Sequence, residues 1–177
     1  MSSLRLIIFT AVELAGLALW LALLSEPGLQ LIAAAVLIIG LNVEHFIAFS
    51  KSPASTGKII GISLSEAAIW TVWLFVASKS ALLGFSVLAG LMLFQHLVER
   101  NLFLGKPLFD VGDLFRVIDF TLIEVTGAAV WLVLVSVNKS VFGIAALGAA
   151  LLVEHIIQTN KLKTLDLYEG TTEVLHL

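Results

Sequence analysis

Six apolar runs of about twenty residues each limit what this chain can become, because a helix of that length crosses the hydrocarbon core of a bilayer. Bounded by charged or turn-forming residues, the runs cover approximately 5–25, 28–50, 59–79, 81–100, 117–137 and 140–159. Six such spans use about 120 residues, and a chain of 177 then has no room for a soluble enzyme domain. Composition agrees: 59% of the residues are hydrophobic and 13% charged, where ordinary soluble domains have about 45–50% and about 25%. Pro27, Pro53 and Pro107 all fall between the runs, where a missing backbone N–H costs a helix nothing. The first run reads as a retained helix, since it is too long for a cleaved leader and shares a pattern with later runs. The expected fold is all-α and integral to the membrane. One six-helix transmembrane domain spans 1–163, and a short polar tail follows at 164–177, where His176 reads as a solvated end residue.

Charge sets the expected orientation. With six spans both termini share a side, and that side carries Arg5, Lys51, Lys58, Arg100, Lys106, Arg116, Lys161 and Lys163, against only Lys79 and Lys139 opposite. Loops rich in Lys and Arg stay in the cytoplasm, so both termini of this multi-pass chain are expected there. The segment 101–116 mixes Phe and Leu with Lys, Asp and Arg and reads as a loop lying in the cytoplasmic interface. A net charge of -3 without a basic cluster argues against nucleic acid as a partner.

The runs pair into a three-fold internal repeat. The first pair reads Glu13, Trp20-Leu21, Glu44-His45; the second Glu66, Trp73-Leu74, Gln95-His96; the third Glu124, Trp131-Leu132, Glu154-His155. The chain therefore reads as three tandem helical hairpins (about 5–50, 59–100 and 117–159), with a pseudo-three-fold axis along the membrane normal. Counted from the short turns at 1.5 Å per residue, each Glu and the His of its own hairpin differ in depth by only about 4–6 Å. His45, His96, His155, Glu13, Glu66 and Glu124 are expected in one layer, nearer the cytoplasmic side.

An ionisable side chain at the bilayer centre costs about 2.5–3.5 kcal/mol even on lenient scales, and no Lys or Arg is expected in this layer. The six groups therefore need a proton, water or a metal. Imidazole and carboxylate suit Zn, Fe, Mn or Cu, and the chain has no cysteine, so a transition metal would take nitrogen and oxygen ligands. Glu44, Gln95 and Glu154 read as groups orienting the imidazoles from behind or approaching the headgroups. Glu99 reads as an extra ligand or as half of a solvated ion pair with Arg100, and Asn42 is in the same position. The tryptophans read as packing, as an interfacial belt, or as a wall closing the far end.

The leading expectation is a membrane metalloprotein with a His/Glu centre, acting on a small or lipid-soluble substrate by redox or hydrolytic chemistry. A cation or proton channel or transporter would use the same Glu/His ring. A third option is an accessory subunit with a partner in a larger membrane complex. Haem is disfavoured, because bis-His ligation leaves one histidine unexplained. A purely structural alternative has each Glu hydrogen-bonding the His of its own hairpin.

Overall fold

The structure is a computed structural model that describes residues 3–49, 55–104, 107–108 and 111–163. It is all-helical: α1 Ser3–Leu24, α2 Gln30–Phe49, α3 Thr56–Ala77, α4 Ala81–Leu104, α5 Val111–Ser136 and α6 Ser140–Lys163. All six helices are long and apolar enough to cross a membrane. The tail expected over 164–177, with His176, lies outside the described residues.

Local chemistry explains the turns. Gly28 (φ 82°) and Asn138 (φ 59°) take the left-handed conformation after α1 and α5, one that glycine adopts freely and asparagine tolerates. Between α3 and α4, the N–H of Ser78 still bonds Leu74 O and that of Lys79 bonds Val76 O. Each short turn lays the next helix antiparallel to the last, so α1 packs on α2, α3 on α4 and α5 on α6. Contacts of α2 with α3, α4 with α5 and α6 with α1 complete a closed ring.

The segment 101–116 departs from its reading as an interfacial loop. α4 runs on to Leu104 and α5 begins at Val111. The physical reason is packing: Phe103 is buried against Ile59 and Ile62, and Val117 and Phe120 against Leu97. Those contacts extend the helices beyond the apolar runs. Arg100 is therefore inside a helix and 8% exposed, not a solvated end charge.

The bundle reverses the usual soluble pattern, in which charged residues are outside. Its outer surface carries Leu31 at 87% exposure, Leu82 at 80% and Val141 at 79%, while Glu13, Glu66, Glu124 and Glu154 are each 5% exposed or less. Inside, two stripes repeat. The even-numbered helices stack Leu37 and Leu41, Leu88 and Met92, and Leu147 and Leu151, each pair four and eight residues before a histidine, and all are buried. The odd-numbered helices bring in Trp20, Trp73 and Trp131, all at 2% exposure or less, so the tryptophans form the core and not an outer belt. Trp73 lies 6.5 Å from Trp131. Helices this apolar on every side pack by close contact of small residues. Gly16 against Gly40 shows how close: a Cβ built on Gly16 would stand 3.3 Å from the Gly40 Cα.

Candidate metal centre

Below the tryptophan layer the ring encloses a polar cavity of about 50 Å³, room for an ion with a few waters at about 10–15 Å³ each. Glu13, Glu66 and Glu124 line it with His45, His96 and His155, joined by Glu44, Glu99 and Glu154. Phe9, Ala48 and Phe49 line it toward the start of α1 and the end of α2. Glu13, Glu66 and Glu124 each offer an oxygen within 4.8 Å of the other two.

Each imidazole points its Nε2 at the repeat Glu of the neighbouring helix pair, not at that of its own. His45 Nε2 lies 3.3 Å from Glu66 Oε2, His96 Nε2 3.5 Å from Glu124 Oε2, and His155 Nε2 3.3 Å from Glu13 Oε2. Depth along the chain is the same for either pairing. Position around the ring separates them, because α2 touches α3, α4 touches α5 and α6 touches α1.

The other ring nitrogen shows which one carries the proton. His155 Nδ1 lies 2.7 Å from Thr10 Oγ1, His96 Nδ1 2.8 Å from Thr121 Oγ1, and His45 Nδ1 3.2 Å from Ser63 Oγ. Each hydroxyl gives its single proton to the carbonyl one turn earlier, at 2.9 Å (Leu6), 2.8 Å (Val117) and 3.0 Å (Ile59). With that proton so placed the oxygen accepts from the imidazole, which puts a proton on Nδ1 and leaves Nε2 as the nitrogen facing the carboxylate. His45 supports this independently, since Nδ1 also lies 2.8 Å from Leu41 O, and a carbonyl only accepts.

Three ring nitrogens thus face three carboxylates across 3.3–3.5 Å, gaps that a proton or a metal ion between the two groups would fill. Two ligands about 2.0–2.2 Å from a tetrahedral ion stand about 3.3–3.6 Å apart, so the gaps match a shared metal. Glu13 Oε2 and Glu124 Oε2, the oxygens facing His155 and His96, are buried and accept no hydrogen bond, as is Glu154 Oε1.

The other predicted groups divide. Glu44 Oε2 lies 3.0 Å from His45 Nδ1, and Glu154 Oε2 3.0 Å from His155 Nε2. Gln95 does not orient an imidazole: its amide donates to Glu66 Oε2 at 3.2 Å and to Glu99 Oε1 at 3.0 Å. Glu99 faces the cavity, 3.7 Å from His45 Nε2. Asn42 bonds Ile38 O of its own helix at 2.8 Å. The sequence reading did not single out Thr10, Ser63 and Thr121, although each stands three residues before a repeat Glu, after Phe9, Ile62 and Phe120. Phe9 lies 4.0 Å from the His155 ring and Phe120 4.8 Å from that of His96. Compared with known protein families, curated proteins and solved structures, the chain matches none.

Proposed function

We propose that this chain is a multi-pass membrane metalloprotein. Three tandem hairpins surround a pseudo-three-fold axis normal to the bilayer, with both termini in the cytoplasm. A transition metal is held by His45, His96, His155, Glu13, Glu66 and Glu124, and the centre acts on a small or lipid-soluble substrate. The observation that carries this reading is the set of imidazoles held at Nδ1 by a hydroxyl, with Nε2 aimed at a carboxylate 3.3–3.5 Å away. A hydroxyl or carbonyl holding the far nitrogen is how metal-binding histidines are oriented. Nitrogen and oxygen donors without thiolate favour Zn, Mn, Fe or Cu. Bound there, the metal would supply Lewis acidity or a redox couple.

Membrane insertion is supported by the leucine-, valine- and phenylalanine-covered exterior, and the orientation by the Lys and Arg distribution. A channel using the same ring is less well supported. Trp20, Trp73, Trp131 and the leucine stripe pack the bundle on one side of the centre, and Phe9 and Phe49 line the polar cavity on the other.

The test is elemental analysis of the full chain purified in detergent, before and after reloading with Zn²⁺, Mn²⁺, Fe²⁺ or Cu²⁺. At least one stoichiometric equivalent is expected, and bound metal should fall when His96 and Glu124 are both replaced. Absence of any bound transition metal in both preparations overturns the proposal.

A further inference from the structure

The centre is not equivalent around its ring, and the difference falls on Glu66. Two groups of three ligand atoms lie within 4.8 Å of one another among the described residues: Glu13, Glu66 and Glu124, and Glu44, His45 and Glu66. Glu66 belongs to both. Trp70 Nε1–H donates to its Oε1 at 3.1 Å and the Gln95 amide to its Oε2 at 3.2 Å. A carboxylate has about four acceptor positions, so each oxygen keeps a lone pair, and the two bonds hold the group in one orientation. Glu13 and Glu124 instead present an oxygen with no hydrogen bond. Two departures of the middle repeat serve this one group. Trp70 takes the place of Leu17 and Ala128, four residues after the repeat Glu, and Gln95 takes the place of Glu44 and Glu154.

From this, and resting on the metal reading above, we infer that the centre binds two divalent cations bridged by the Glu66 carboxylate. One sits among Glu13, Glu66 and Glu124; the other is held by Glu44, His45 and Glu66. Carboxylate-bridged pairs of this kind stand about 3.5–4 Å apart. Charge points the same way. Six carboxylates line the cavity, and one divalent ion offsets two of them where two ions offset four. The first position is all oxygen and favours a hard ion such as Mn²⁺. The second includes an imidazole and accepts Zn²⁺ or Fe²⁺ as readily.

The experiment titrates the full chain in detergent with Mn²⁺ and reads bound manganese by elemental analysis and paramagnetic resonance. The expected result is two Mn²⁺ per chain with an exchange-coupled spectrum. Glu44→Gln is expected to lower this to one ion with the isolated six-line spectrum, and Glu13→Gln to do the same from the other side. Gln95→Leu, which frees Glu66 Oε2, should weaken the second equivalent by about tenfold or more. One uncoupled Mn²⁺ per wild-type chain overturns the bridged pair and leaves the metalloprotein reading in place. No bound Mn²⁺ likewise overturns the bridged pair, and the metalloprotein reading falls with it only if Zn²⁺, Fe²⁺ and Cu²⁺ also fail to bind.

Discussion

His155 near the end of the described chain and Glu13 near its start are partners, with Nε2 of one 3.3 Å from Oε2 of the other. Thr10, one turn from Glu13 on the same helix, holds the opposite nitrogen of that ring at 2.7 Å. A single face of α1 thus holds one nitrogen and meets the other of an imidazole carried by α6. The same device recurs where α3 meets α2 and where α5 meets α4, so the centre is complete only when the ring of helices closes.

The hydroxyls can be tested directly. Thr10→Val keeps the shape of the side chain but leaves the His155 Nδ1–H buried without its acceptor. A loss of about 1–3 kcal/mol in stability follows from the orphaned donor, and metal affinity should fall about 10–100-fold. Thr10→Ser is expected to restore affinity to within a few-fold of wild type. Chelator competition with Co²⁺, read by its visible absorption, measures both. Equal binding by the Val and Ser variants would show that the hydroxyl does not position the imidazole.

Orientation is open to a clean experiment because the chain has no cysteine. Ser25, Ser80 and Ser140 are exposed in or beside the turns after α1, α3 and α5, and Ser55 is exposed at the start of α3 on the opposite side. Each Ser→Cys variant then carries one thiol. In intact cells a membrane-impermeant maleimide is expected to label positions 25, 80 and 140 and to reach position 55 only after lysis. The reverse pattern would invert the proposed topology.

Helix contacts give a matched pair of predictions. A Cβ on Gly127 would collide with that of Ala150, whereas one on Gly61 meets nothing within 4 Å. Gly127→Ala is expected to force α5 from α6 and cost about 1–3 kcal/mol. Gly61→Ala is expected to be neutral or to stabilise by up to about 1 kcal/mol through helix propensity. Thermal unfolding in detergent, followed by circular dichroism, compares the two. Equal melting temperatures would mean that the α5–α6 approach is looser than described.

Much of the architecture could be read from the amino acids in order. A run of twenty apolar residues is a local property, so six helices and their short turns follow without any partner in view. The recurrence of Glu, Trp and His at matched spacing likewise placed the polar groups at a common depth, because rise per residue is constant along a helix. Other features depend on neighbours distant in the chain. His45 faces Glu66 rather than Glu13 because α2 lies beside α3, and height above the turn carries no information about direction around the axis. Thr10, Ser63 and Thr121 gain their role only once another helix brings a ring nitrogen within reach. The extension of α4 through Phe103 and of α5 back to Val111, the burial of Arg100 and the facing of Glu99 into the cavity arise in the same way: contacts from adjacent helices outweigh the local polarity that marked those residues as loop or surface.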